Sequence, residues 1–369
     1  MSDVLLSIRN LSVTFRQRRT AALVRAVDDV SFDLGPGEVV ALVGESGSGK
    51  STIGNAVVGL APVSSGAILL HGKEIASRRR RVDRRSVSKH VQIVFQDPFG
   101  SLNPARTIGQ TLVEPLLGRP DSDVEPREAA VEMLSAVGLP SDASDRYPHS
   151  FSGGQRQRIV IARALMGTPE LVICDEPVSA LDVSVQAQVL NLLADLQQRR
   201  GVSYLFVSHD LAVVRRIAHR VVVLYRGRVM ETGPASVVCT TPRHPYTQAL
   251  LAAAPVPDPS VQHQRRLERQ QFRQSGDAGL PPRQGCPFAP RCHFAVQQCQ
   301  DERPELRKTD VGSTAACHLL EHVSQNLRST ATTTTSPVLT NEKDSASNGP
   351  NYDRHEPPHA GRLSSGTDL

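Results

Sequence analysis

The octapeptide Gly44-Glu45-Ser46-Gly47-Ser48-Gly49-Lys50-Ser51 constrains this chain most, because it fits the pattern G-x-x-x-x-G-K-[ST]. It follows an unbroken apolar run, Val39–Val43, and leads into a segment of helical character, Thr52–Leu60. Strand, glycine-rich loop and helix together make a cradle for phosphate. Backbone N–H groups converge on the anion, with the positive end of the helix behind them. In that frame Lys50 reaches the terminal phosphates of a nucleotide and Ser51 is a magnesium ligand. Gly44, Ser46, Gly47, Gly49 and Thr52 complete the loop and its exit.

A second buried strand, Leu171-Val172-Ile173-Cys174, runs into Asp175-Glu176. Carboxylates at a strand end are where such a sheet holds a nucleotide's metal and water. Asp175 is expected to hold Mg²⁺, and Glu176 to orient and polarise the attacking water. Phe151-Ser152-Gly153-Gly154-Gln155 begins another helix, with Ser152 as a natural N-cap. A second phosphate-ready helix start beside a single phosphate loop implies ATP clamped between two chains.

The rest of the chain bounds the reading. Further buried strands, Tyr204–Val207 and Val221–Tyr225, alternate with helical stretches, which predicts a mostly parallel α/β sheet. One helix carries Val185, Val189, Leu192, Leu193 and Leu196 on one face and stops at Gly201. The middle, about residues 97–167, reads mostly helical, with Met133, Leu134, Val137 and Leu139 on a face closed by Gly138 and Pro140. Aromatics are 4% and Trp is absent, so the core must be aliphatic. No apolar run approaches the roughly 18 residues of a membrane span. The first ten residues do not read as a signal peptide, since Asp3 and Arg9 bracket too short an apolar stretch. Six cysteines in 369 residues point to a reducing cytoplasm rather than a disulfide scaffold. The net charge of +5 comes with 37 Arg and 5 Lys, a coding bias more than a binding face. The run Arg78–Arg81 lacks interleaved aromatics and reads as a solvated loop, so no nucleic-acid partner is expected.

The stretch from Leu6 to Pro255 resembles the ATP-binding cassette (ABC) ATPases, with Ser152-Gly153-Gly154-Gln155 as their signature. The resemblance implies an α/β P-loop NTPase core with an inserted helical subdomain and a small Cys-rich C-terminal module. It makes Gln96 the glutamine that touches the metal site and links nucleotide to a membrane partner. It also makes Asp182 part of a loop crossing a dimer interface, His209 the switch histidine on the γ-phosphate, and Phe15 the aromatic under adenine. Asp97–Pro104, Glu176-Pro177-Val178-Ser179 and Arg243–Thr247 are similar to the dipeptide/oligopeptide importer branch, in particular its F-type ATPase. The implied role is an ATPase on the cytoplasmic face of the membrane, paired with a second ATPase subunit as a heterodimer. Two transmembrane permeases and an extracytoplasmic solute-binding protein complete the implied assembly. Nickel or another small solute is the alternative cargo. A soluble ABC ATPase working on nucleic acid is the remote one, since only about 100 residues separate Ser51 from Ser152 and there is one cassette.

Composition shifts at Pro255–Pro259, giving an expected ATPase domain over 1–255, a C-terminal module over 256–322 and a disordered tail over 323–369. Cys286, Cys292, Cys299 and Cys317 cluster in that module without a C-x-x-C knuckle, a moderate metal signal. The resemblance implies a [4Fe–4S] cluster on these four thiolates, with zinc as runner-up. A structural or redox-sensing role is expected, because they lie far along the chain from Lys50 and Glu176. Cys174 and Cys239 read as packing residues.

Overall fold

Strands here run apolar or alternate according to how many of their faces are covered. The structure, a computed structural model, describes residues 4–16, 22–117, 125–254, 282 and 284–323. All of these fall in one compact unit, Met1–Leu327. In chain order the strands are β1 (Leu6–Arg16), β2 (Leu23–Leu34), β3 (Val39–Val43), β4 (Ser65–Leu70), β5 (Lys73–Ser77) and β6 (Val91–Val94). They continue with β7 (Leu171–Asp175), β8 (Ser203–Ser208), β9 (Arg220–Tyr225), β10 (Arg228–Pro234), β11 (Leu306–Lys308) and β12 (Thr314–Ala316).

Two sheets result. One is antiparallel, in the order β2-β1-β4-β5. The other is mixed, in the order β11-β12-β10-β9-β3-β8-β7-β6, with β9, β3, β8, β7 and β6 parallel. Side chains of β3 alternate between two cores. Val40 and Leu42 join Ile173, Leu205 and Val222 in the layer that packs on the antiparallel sheet. Val39, Ala41 and Val43 join Val172, Tyr204 and Phe206 on the opposite face, under the helices. A strand buried on both faces needs no polar alternation, which is why β3 and β8 read as continuous apolar runs.

The stretch between β6 and β7 is helical as expected, with helices Ile108–Val113, Pro126–Ala136 and Gly153–Leu165. Met133, Leu134, Val137 and Leu139 are all buried. Gly138 closes that helix at φ 71°, a left-handed geometry that glycine adopts without strain. The Val183–Arg200 helix ends in Arg199 and Arg200 and is stopped by Gly201 at φ 64°, the placement that favours cations at a helix C-terminus. The expected linker at 255–259 and tail at 323–369 lie outside the described residues, except Val323.

The cysteine-bearing segment joins the eight-stranded sheet directly. Glu231 and Thr232 of β10 pair with Ala315 and Thr314 of β12. Behind that seam Glu231 is fully buried. Its carboxylate accepts from the backbone N–H groups of Arg243 at 2.8 Å and His244 at 3.0 Å, and from Ser313 Oγ at 3.3 Å. Burial pushes its pKa up against those bonds. One carboxylate thus ties three segments together.

Candidate active site

The phosphate loop is shaped by close backbone approach. Gly49 sits at φ 100°, and a side chain there would collide with the Ala26 carbonyl oxygen. At Gly44 a Cβ would run into the Leu224 carbonyl oxygen. Only glycine fits either place. Lys50, at the start of the Lys50–Val57 helix, is buried and folds back over its own loop. Its Nζ donates to the carbonyls of Gly44 at 2.8 Å and Glu45 at 2.9 Å. Burial lowers its pKa, with the charges of Glu176, Asp175 and Glu45 acting against the shift. Those carboxylates hold the cationic form that a phosphate needs.

Ser51 Oγ donates to Asp175 Oδ1 at 2.7 Å, so the loop and the end of β7 meet through one hydrogen bond. Burial raises the Asp175 pKa, and the Ser51 bond works against it. A serine hydroxyl and a partly desolvated carboxylate in contact are a fitting pair of oxygen ligands for Mg²⁺.

Glu176 follows at φ 47°. For a non-glycine residue that left-handed turn costs on the order of 1–3 kcal/mol unless its surroundings hold it. Its N–H donates to the Val207 carbonyl at 3.1 Å, which anchors it across to β8. Its carboxylate meets the two other candidates for catalysis. Gln96 Nε2 donates to Oε2 at 3.1 Å and to Ser179 Oγ at 3.3 Å, and His209 Nδ1 stands 3.3 Å from Oε1. Glu176, Ser179, Gln186, Ser208 and His209 line a cavity of about 160 Å³. Lys50, Ser51, Asp175, Glu176, Gln96 and His209, far apart in sequence, therefore form one polar cluster at the ends of the parallel strands.

Ser152–Gln155 lie elsewhere on the chain. Ser152 and Gln155 form a reciprocal capping box at the start of the Gly153–Leu165 helix. A side chain at Gly154 would strike Val185 Cγ1, so that glycine lets the helix approach the one capped by Asp182. Asp182 accepts from Val185 N–H at 3.0 Å and from Ser184 Oγ at 2.6 Å. Among the described residues no hydrogen bond or ion pair joins Ser152–Gln155 to the phosphate loop. Phe15 is 40% exposed on β1, opposite Val24.

All four late cysteines line one small cavity of about 20 Å³, beside Phe288 and His244. Burial pushes the Cys286 thiol up to about 11 and the Cys292 thiol up to about 12. Cys174 and Cys239 are buried in the helix-side core, as expected. Sequence reasoning missed a contact of this segment with the phosphate loop. Arg291 Nη1 and Nη2 each lie 2.9 Å from a carboxylate oxygen of Glu45. Tyr246, noticed in sequence only as part of a motif, accepts the Glu45 N–H at 2.8 Å. No local signal marks a partner so distant in sequence.

Residues 27–179 match the ABC transporter family profile, and residues 230–299 match the oligopeptide/dipeptide transporter C-terminal region. A Brucella ovis protein named for peptide import and ATP binding is 49% identical over 316 residues, covering 85% of this chain and 97% of its own. The chain belongs to the ABC transporter ATP-binding proteins. A Sinorhizobium fredii protein named as a peptide ABC transporter ATP-binding protein is 46% identical, covering 86% of this chain and 91% of its own. Among solved structures, the dimeric ATP-binding cassette MJ0796 with ADP and Pi superposes with TM-score 0.55 at 27% identity, over 63% of this chain and 99% of that one. CbiO1 of Clostridium perfringens, part of the transporter complex cbiONQ, gives TM-score 0.57 at 28% identity, over 65% and 92%. This ABC ATPase therefore carries the P-loop NTPase cassette expected from its sequence, with ATP and Mg²⁺ as the fitting ligands. Among the described residues no helix is long and apolar enough to cross a membrane.

Proposed function

We propose that this chain is one of two ATPase subunits that power a membrane importer of di- and oligopeptides. The observation that carries the reading is the pairing of the complete Lys50, Asp175, Glu176, Gln96 and His209 cluster with a C-terminal region of the oligopeptide/dipeptide type. Lys50 and the loop N–H groups bind the phosphates, while Ser51 and Asp175, joined by Gln96, would hold Mg²⁺. Bound Mg²⁺ would supply charge neutralisation of the phosphate oxygens. Glu176 takes the proton of the attacking water and His209 reports the γ-phosphate. Phe15 stacks on the adenine. Ser152–Gln155 and Asp182 complete the site of a second cassette across the dimer, which is why they make no bond to this chain's own loop.

Two permeases receive the motion through the loop after Gln96, where Phe99 is 58% exposed with the Arg156 guanidinium 4.3 Å over its ring. The assembly sits on the cytoplasmic face, its second ATPase a distinct subunit and its cargo delivered by an extracytoplasmic binding protein. Purified alone, the chain should turn over ATP weakly and with a concentration-dependent specific activity. Co-expressed with a second ATPase and two permeases, it should turn over strongly. Full, concentration-independent turnover by the monomer would defeat the proposal.

Cys286, Cys292, Cys299 and Cys317 suit a [4Fe–4S] cluster, because all four line one small cavity. The spacing of the four, without the two-residue knuckles common in zinc ribbons, favours the cluster over zinc. A bound cluster would supply cross-links between segments and a redox-active group. Protein purified without oxygen should be brown, with about four iron and four sulfide per chain. Cys299→Ser should lower the iron. Colourless protein carrying one zinc would reverse the assignment.

A further inference from the structure

Glu45 is an awkward residue in a loop built for phosphate. Its carboxylate places a negative charge beside the ammonium of Lys50, on which it acts electrostatically. Left bare, it would repel an incoming triphosphate and compete with it for that lysine. Arg291 removes the problem with a forked pair, each guanidinium nitrogen 2.9 Å from one carboxylate oxygen. Planar two-point pairing of this kind fixes direction as well as charge. Glu45 is then held from three sides, by Arg291 on its carboxylate, Tyr246 Oη on its N–H and Lys50 Nζ on its carbonyl.

Arg291 owes its place to the cysteine segment. It closes the short 3-10 turn Ala289–Arg291, between Cys286 and Cys292. The turn is pinned at both ends: the Ala289 N–H donates to the Cys286 carbonyl at 3.1 Å, and the Cys292 N–H donates to the Ala289 carbonyl at 3.2 Å. Its guanidinium lies 5.5 Å from the ring centre of Phe288 and 5.7 Å from that of Tyr225. Phe288 is itself a wall of the cysteine cavity and packs on Tyr225 and Tyr246. Whatever holds Cys286 and Cys292 therefore also holds the arm that reaches the phosphate loop.

We propose that Arg291 is a positioning residue for ATP binding, and that through it the state of the four-cysteine module sets the affinity of the phosphate loop. The second half rests on the four-thiolate reading above; the first does not. Binding of a fluorescent ATP analogue to the full-length chain is the direct test. Arg291→Gln should raise its Kd about tenfold, with iron content and thermal midpoint unchanged. Arg291→Lys should recover only part, because an ammonium cannot make the fork. Exchanging the pair, Glu45→Arg with Arg291→Glu, should recover more affinity than either single change retains. In the assembled transporter the loss should fall on KM for ATP and spare kcat. Parent-like affinity in Arg291→Gln would overturn the positioning role.

Cys299→Ser should weaken binding by a similar factor, and adding Arg291→Gln to it should change little. Fully additive effects would overturn the link between module and loop. Iron is measured on the same samples. An iron-free parent would refute the cluster alone, while the affinities still decide Arg291.

Discussion

Glu176→Gln should all but stop ATP hydrolysis while leaving ATP bound. The carboxylate accepts from Gln96 and faces His209, 3.3 Å away, at the edge of a cavity that admits water. An amide of the same shape keeps the contact with a donor but cannot take a proton. Loss of a general base is worth about 10²–10⁴-fold, so turnover of the assembled complex should fall by at least the lower figure. Closed dimers with unhydrolysed ATP should then accumulate, seen as nucleotide that stays with the protein through gel filtration. Parent-rate hydrolysis would remove Glu176 from the role given to it.

Lys50→Ala should fail one step earlier, at binding. The ammonium donates to the Gly44 and Glu45 carbonyls, so its removal loosens the loop as well as deleting a phosphate contact. A hydrogen bond to a charged group contributes about 1.5–3 kcal/mol, or about 10–100-fold in Kd. Equilibrium titration with a fluorescent ATP analogue reads this directly, and an unchanged Kd would contradict it. The two variants thus separate: one binds without turning over, the other scarcely binds.

How much of this was legible in sequence follows from the range of each interaction. The phosphate loop is local, its glycines set by approach of the Ala26 and Leu224 backbones and its lysine by chemistry at fixed spacing. Asp175 and Glu176 were legible because a buried strand ends there. Ser152 revealed itself as a helix cap, which it is. The hairpin β4–β5, the strand β10 and the short β6, β11 and β12 went unnoticed, because strands of three to seven residues with exposed or half-buried positions carry little periodic signal. Arg291, next to Cys292, carries no local signal of its partner. Its meaning appears only once folding brings it to Glu45, and no pattern within a window of residues encodes that meeting.

The eight-stranded sheet tapers at both margins, to four residues in β6 and three in β11. Unpaired strand edges are templates for other chains, and short ones offer few rungs. With β11 and β12 removed, the seven-residue β10 would become the margin, apolar at Val229 and Met230. The C-terminal hairpin thus acts as a selvedge, leaving a margin of three rungs where seven would otherwise stand bare.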